Sequence, residues 1–364
     1  MGRTIRSESV GAKIAEWYSC LLSKSYEQAI ILKEEVKQLL PAMDPSDKFM
    51  AFYSLVEFKH QILVSRYDKN ECPEEIEPIS EKTEIDHLLK YLYYFVSGQY
   101  EFTQERYRSA VKLFRKAERL LEYVNDEAEE AEFYQYIGLV YYRLNHYLIA
   151  SSYMEQANVL FDRLQYYEPA INCQIITACI HQELNNPEKG EAILKQALER
   201  AKGIPIVYGQ VLRTLGLNKQ GQKKFDEAET YFKRALDIPE HKNTIFGAKS
   251  RYNLSNVLFN QGKIEEALPH FQIAKAGAAY YKSKEYNARC LFTEGLHIDK
   301  NYDLVDQAIA QLQKEGMDFE VSELAEEAAH FAEKEGNTRL ALKYMKVAHG
   351  ARLYQHTLGV DSVV

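Results

Sequence analysis

The sequence predicts an all-α protein, with an N-terminal three-helix bundle followed by a superhelical solenoid of tetratricopeptide repeats. Turn-forming residues are scarce, since 364 residues include 17 Gly and 9 Pro. That shortage favours helices. Apolar residues recur at helical spacing near the N-terminus, and a pattern of small residues recurs further along the chain. A chain that is 46% hydrophobic also buries too much apolar surface to be disordered.

Residues 1–67 are predicted to form the three-helix bundle. The first helix has one apolar face, formed by positions i, i+3, i+4 and i+7: Ile14, Trp17, Tyr18 and Leu21. Ser25 begins the second helix and Pro41 ends it. The third helix carries a similar stripe, formed by Phe49, Phe52, Tyr53, Val56, His60 and Leu63. Short connections between the helices indicate antiparallel packing, and His60 is interpreted as a core residue.

An acidic linker is predicted over residues 68–87, where two prolines and six acidic residues occur within DKNECPEEIEPISEK. A repeat domain of about seven repeats follows over residues 88–364. Each repeat has a small residue, Ala twelve positions later, a large apolar residue four later and Ala three later. The clearest copy is Gly216, Ala228, Phe232 and Ala235, whereas the sixth, with Leu296, Ala308 and Leu312, is degenerate, and Ala329, Ala341, Met345 and Ala348 form the last. These offsets are those of the tetratricopeptide repeat, whose first helices line a concave face.

Charge and motif content exclude several classes of function. The net charge of −8 argues against a broad nucleic-acid-binding surface, so we expect no direct nucleic-acid partner. Five cysteines without CxxC spacing indicate neither a zinc site nor a disulfide framework, and no metal or cofactor is expected. We find no signal peptide and no apolar run long enough to span a membrane. The prediction is a cytoplasmic protein without membrane association.

Concave faces of tetratricopeptide arrays bind extended peptides, and the first helices of this array place polar side chains there. The candidate peptide-binding residues are Asn172, Gln210, Arg213, Lys249, Tyr252, Asn253, Asn256 and Glu294. An Asn side chain can both donate to and accept from a peptide amide. Arg213 and Lys249 could bind a carboxylate by donating hydrogen bonds to it. The alternative is that these are ordinary solvated residues.

Local sequence adds a resemblance to a known family. The similar segments are AEWY (15–18), LKEEVKQLL (32–40), YSLVEFKHQIL (53–63), GQYEF (98–102) and LEYVNDEAEEAEF (121–133). Together with the layout of bundle, acidic linker and seven repeats, they resemble the Rap family. These are the response-regulator aspartate phosphatases of bacilli, which secreted and reimported Phr peptides control. The chain departs from the family pattern at VSGQYE and at Thr214, where relatives often carry a peptide-binding Asn.

The resemblance implies a role for Gln61. In Rap phosphatases the matching glutamine enters the active site of the response regulator and orients water against the phosphoaspartate, much as a glutamine does in GTPases. Glu57 and Phe58 are predicted to lie beside Gln61 on an exposed partner-binding surface. Any magnesium ion in that reaction would belong to the partner.

Three hypotheses follow from the sequence. The first is a Rap-like quorum-sensing regulator that binds a response regulator or transcription regulator and is controlled by a signalling peptide, with or without phosphatase activity. The second is a non-enzymatic antagonist that sequesters a DNA-binding regulator, of the kind that a mobile element can encode to control its transfer. The third, a direct DNA-binding regulator, is disfavoured because the bundle is not basic. A homodimer is compatible with each hypothesis.

Overall fold

The structure is a computed structural model that describes residues 5–65 and 86–356. It confirms the all-α prediction, because the described residues form helices and one isolated β-bridge between Ile5 and Met43. The chain divides into two units. Unit 1 comprises Met1–Ile137 and Gln156–Tyr166, and unit 2 comprises Gly138–Glu155 and Tyr167–Val364. No helix of the described ranges is both long and apolar enough to cross a membrane.

The bundle in unit 1 consists of three helices: α1 (Ser7–Leu22), α2 (Tyr26–Leu39) and α3 (Asp47–Ser65). A 3₁₀ turn, Leu40–Ala42, follows α2 and contains Pro41. The predicted stripes of α1 and α3 form one core, in which Ile14, Trp17, Val56 and Leu63 are buried. The bundle therefore packs as the apolar periodicity predicts.

The repeat helices begin in unit 1 and continue into unit 2. Their first members are α4 (His87–Thr103), α5 (Tyr107–Glu118), α6 (Glu127–Arg143) and α7 (Tyr147–Arg163). Asp86 caps α4 by accepting a hydrogen bond from the backbone N–H of Leu88 at 3.0 Å. Residues 68–85 of the predicted linker lie outside the described residues.

Unit 2 contains the remaining helix pairs. They are α8 (Tyr167–Glu183), α9 (Pro187–Arg200), α10 (Pro205–Gly221), α11 (Phe225–Leu236), α12 (Pro239–Lys242), α13 (Ile245–Asn260), α14 (Ile264–Tyr280), α15 (Lys284–Thr293), α16 (Tyr302–Lys314), α17 (Asp318–Lys334) and α18 (Thr338–His356). Consecutive helices of a pair pack against each other, as α10 does on α11 and α13 on α14. The short α12 stands between two pairs.

The small residues of the repeat pattern lie where paired helices meet. Ala228, Phe232 and Ala235 of the fourth copy are fully buried. The matching alanines of other copies are equally buried: Ala110, Ala150, Ala197 and Ala267. Because a larger side chain would push the helices apart, this burial explains why small residues recur at these offsets.

The sixth and the last repeat copies depart from the pattern in the structure. In the sixth, a π-helical turn over Glu294–Ile298 joins the end of α15 and shifts the register by part of a turn. Gly295 therefore takes the small position, and a Cβ there would lie 2.8 Å from the carbonyl oxygen of Asn301. In the last copy Met345, at the large apolar position of the pattern, is 47% exposed, and the preceding Tyr344 is fully buried instead.

Candidate partner-binding and peptide-binding sites

Glu57 and Gln61 lie one helical turn apart on α3, as the sequence predicts. The Glu57 carboxylate is 3.4 Å from Lys33 Nζ and 3.7 Å from Lys37 Nζ, both on α2. Burial works against its charge, but a hydrogen bond from Tyr53 and the two ammonium groups outweigh it and hold the pKa of Glu57 below its usual value. Gln61 is half-buried, which leaves part of its side chain accessible.

Phe58 does not lie on an exposed docking surface, so that prediction is wrong. Its side chain is 5% exposed and packs against Ile62 of α3 and Val96 of α4. The ring centroids of Phe58 and Tyr100 are 5.4 Å apart. The physical reason is that α3 has two covered sides, one toward the bundle core and one toward α4. The local pattern of α3 shows the first of these sides and gives no sign of the second.

The neighbouring Lys59 is completely buried, although its position in the sequence pattern does not single it out. Its Nζ lies 2.5 Å from Glu132 Oε2, 3.1 Å from the Tyr18 hydroxyl and 4.4 Å from the centroid of the Tyr18 ring. Glu129 accepts hydrogen bonds from the hydroxyls of Tyr18 at 2.5 Å and Tyr91 at 2.9 Å. We call these five residues the Lys59 cluster. It joins α1 and α3 of the bundle to α4 and α6.

Burial governs the electrostatics of the Lys59 cluster. Removing an ion from water costs several kcal/mol, which only close partners can offset. Burial raises the pKa of Glu129, the ammonium of Lys59 opposes that rise, and the like charge of Glu132 adds to it. In the sequence, the one indication of this region is that the segments EFKHQ and NDEAEEAEF resemble the Rap family.

His60 is a core residue, as predicted. It is 5% exposed, and its Nδ1 accepts a hydrogen bond from Nε1–H of Trp17 at 3.0 Å. Burial, with the nearby charge of Lys33, lowers the pKa of His60 to about 4. The imidazole is therefore neutral at physiological pH, which keeps the acceptor nitrogen available to Trp17.

In unit 2, several predicted peptide-binding residues come together on α10, α13 and α15. Arg213 Nη2 donates to the Tyr286 hydroxyl at 3.0 Å, and Lys249 Nζ lies 4.7 Å from the centroid of the same ring. Tyr252 is 4% exposed and packs edge-on against Tyr286. Its hydroxyl lies 3.1 Å from Thr293 Oγ1, a hydrogen bond that helps to fix the Tyr252 ring beside Tyr286.

Asn253 and Asn256, the two candidate asparagines of α13, differ in their hydrogen bonding. Asn256 has its amide satisfied, because Oδ1 accepts from Gln220 Nε2 at 3.0 Å and Nδ2 donates to Glu327 Oε1 at 3.4 Å. Asn253 is 5% exposed, and its buried Nδ2 has no hydrogen-bond partner within the described residues. A buried donor without an acceptor is costly, so Asn253 is a candidate to bind a ligand.

Three predicted residues remain, Asn172, Gln210 and Glu294. Asn172 on α8 and Gln210 on α10 are half-buried. Glu294 is bound by Lys275 of α14, whose Nζ lies 2.7 Å from Oε2 and 2.8 Å from Oε1. The structure therefore does not bring Glu294 together with Arg213 and Lys249. The π-helical turn accounts for this, because it rotates the end of the helix relative to the repeat pattern.

A second buried ionic network, also missed from the sequence, lies in unit 2. Arg143 at the end of α6 lies 3.0 Å from Glu285 Oε2 and 2.6 Å from Glu320 Oε1. Arg289 lies 2.9 Å from Glu285 Oε1 and 2.6 Å from Glu323 Oε2. Each carboxylate in this network thus has a guanidinium partner.

Comparisons with known proteins agree with this architecture. A family model described as response regulator aspartate phosphatase H, N terminal, matches residues 4–65, a range that includes the three bundle helices. A tetratricopeptide repeat model matches residues 248–274. Response regulator aspartate phosphatase I of Bacillus subtilis (strain 168) is 28% identical over 94% of this chain and 90% of that protein. The chain belongs to the Rap family.

A solved structure and a further protein sequence are similar to this Rap protein over nearly its whole length. The crystal structure of a Rap protein complexed with competence and sporulation factor has a TM-score of 0.88 at 24% identity, covering 97% of this chain and 99% of that one. A protein of Rhodococcus hoagii named type II methyltransferase M.CeqI is 38% identical over 99% of this chain and 71% of that protein. The fold predicted from the sequence is thus the fold of the family.

We predict that Lys59→Met destabilises this Rap protein by about 3–5 kcal/mol at neutral pH, because Glu129 then remains buried without a cation and Glu132 loses the closer of its two, Lys24 Nζ lying 3.6 Å from Oε1. Without Lys59 the pKa of Glu129 rises further, so the loss should shrink as pH falls toward the ordinary carboxyl value of 4.5. Urea denaturation at several pH values measures both effects.

The matched control is Lys48→Met on the same helix. Lys48 is 62% exposed and pairs with Asp86 at 2.6 Å, so its loss should cost less than about 1 kcal/mol. Equal costs for the two variants would contradict the structural role of the Lys59 cluster.

We also predict a change in Trp17 fluorescence with a midpoint near pH 4, where His60 is protonated and can no longer accept the indole hydrogen bond. Trp17 is the only tryptophan of the chain, so the signal is unambiguous. In His60→Gln, which keeps an acceptor but cannot titrate, the step should vanish. Circular dichroism at each pH separates this step from unfolding, and a step that persists in the variant would refute the assignment.

Proposed function

We propose that this Rap protein is a regulator switched by a short signalling peptide. The peptide binds unit 2 where α10, α13 and α15 meet, and a response regulator or transcription regulator binds the N-terminal bundle. The observation that carries the proposal is Asn253, whose buried amide nitrogen has no acceptor among the described residues. A peptide carbonyl oxygen is the acceptor that would satisfy it.

The family supports both halves of the proposal. A Rap protein with the same fold has been solved with the peptide named competence and sporulation factor. The Bacillus subtilis relative is named for its action on the aspartate of a response regulator. A peptide can release a partner only if it binds one conformation of the protein better than the other, so the two ligands must be thermodynamically linked.

The surface that supports partner binding is the side of α3 that carries Glu57 and Gln61. Lys33 and Lys37 of α2 hold the Glu57 carboxylate, which fixes the side chain one turn before Gln61. With Phe58 buried against α4, this side of α3 also presents the exposed side chains of Ser54 and Met50, the latter 42% exposed. A surface that mixes polar and apolar side chains is typical of reversible protein–protein interfaces.

Methyl transfer, the activity in the name of the Rhodococcus hoagii relative, gains no support from this chain. Nucleotide-type cofactors commonly bind at the carboxyl ends of parallel strands, in a crevice of an open sheet. The ranges 5–65 and 86–356 contain helices and one isolated bridge, so they offer no such crevice. The match reaches 71% of that protein, and the activity in its name does not follow from the shared helical part.

We predict that Asn253→Ala weakens peptide binding about tenfold or more, because it removes the buried donor. The measurement uses isothermal titration with synthetic pentapeptides taken from the reading frame next to the gene of this protein. Asn243→Ala, which changes an exposed asparagine just after α12, is the control and should bind normally. If no peptide of the set binds the unchanged protein, the proposal fails.

The half-exposed Gln61 favours a catalytic form of this function, in which its amide orients water against a phosphoaspartate. We predict that Gln61→Ala abolishes the loss of phosphate from a phosphorylated response regulator and leaves binding intact. Gln28→Ala on the exposed side of α2 is the control. Undiminished phosphate loss in Gln61→Ala would exclude this role. Binding of an unphosphorylated DNA-binding regulator, insensitive to Gln61→Ala, would favour the sequestering antagonist instead.

A further inference from the structure

Two cationic side chains of unit 2 meet at Tyr286 without a carboxylate partner. Arg213 donates through Nη2 to the Tyr286 hydroxyl at 3.0 Å, and Lys249 Nζ lies 4.7 Å from the ring centroid. The ion pairs within the described residues include neither of them. A hydroxyl and a ring face compensate a positive charge only partly, because neither carries a formal negative charge.

The nearest charged groups do not remove this excess. Glu285 is close enough for Lys249 to lower its pKa, but its oxygens lie 3.0 Å from Arg143 and 2.9 Å from Arg289. Arg289 also binds Glu323 at 2.6 Å. The carboxylates beside Tyr286 are therefore already paired with other guanidinium groups, and the positive charge of Arg213 and Lys249 remains available.

Unpartnered donors at the same place are an independent observation. Asn253 lies one turn after Lys249 on α13, is 5% exposed, and has a buried Nδ2 with no acceptor in the described part of the chain. Nε of Arg213 is likewise buried without a partner. Both orphaned groups are donors, which indicates a ligand that accepts hydrogen bonds.

We propose that Arg213, Lys249, Asn253 and Tyr286, which we call the Tyr286 site, bind a carboxylate of the signalling peptide. The inference rests on the proposed function and specifies the chemistry of its ligand. A carboxylate accepts from the guanidinium and the amide together while it neutralises the ammonium group. The carboxylate comes either from the C-terminus of the peptide or from an Asp or Glu side chain, and the two sources are separable by experiment.

The test uses three pools of synthetic random pentapeptides: free acids, C-terminal amides, and C-terminal amides that lack Asp and Glu. Each pool is incubated with the full chain, and the peptides that co-elute through gel filtration are identified by mass spectrometry. We expect retention from the free-acid pool and at least about tenfold less from the pool without any carboxylate. Retention from the second pool identifies a side-chain carboxylate, and its absence identifies the C-terminus.

Two variants locate the effect. Arg213→Gln and Lys249→Gln should each lose the preference for carboxylate-bearing peptides, whereas Lys189→Gln, at an exposed lysine of α9, should keep it. Equal retention from all three pools would overturn the Tyr286 site and leave the peptide-controlled function standing, as would unchanged preference in both variants. No retention from any pool would overturn both proposals.

Discussion

A buried ammonium group determines how the N-terminal helices are attached to the rest of unit 1. Lys59 has no access to solvent, so Glu129 and Glu132 of α6 must lie beside it and Tyr18 must contribute its hydroxyl and its ring. Because an unpaired ion would be far more costly than the paired one, α3 can occupy this position only when α6 occupies its own. The side chain before Lys59 packs on α4, and His60 and Gln61 follow it, so the cluster also fixes the orientation of the candidate partner surface.

Buried charge has a different role in unit 2. Arg143 and Arg289 form ion pairs with Glu285, Glu320 and Glu323. Arg213 and Lys249 therefore have no carboxylate within ion-pair distance in the described part of the chain. Partly buried cations without a paired carboxylate contribute little to stability. They favour the binding of an anionic ligand, because the ligand supplies the missing negative charge.

The candidate sites could be predicted only in part, for reasons that particular residues show. Helical spacing placed Glu57 beside Gln61 and Lys249 beside Asn253, because residues one turn apart share a face in any helix. Phe58 was assigned to the wrong environment, since a local pattern cannot say that a second element covers that face. Lys59 and Arg143 gave no signal at all. Their partners lie 73 and 142 positions away in the sequence, and a lysine or arginine is normally on the surface.

The amino-acid sequence by itself determined that the chain is helical and how the repeats recur, because apolar periodicity and small-residue spacing are local properties of a helix pair. The tertiary structure decided which charges are buried and which of them lack a partner. That outcome depends on contacts between helices far apart in the sequence. At the π-helical turn after α15, for example, Glu294 pairs with Lys275 rather than with Arg213 or Lys249.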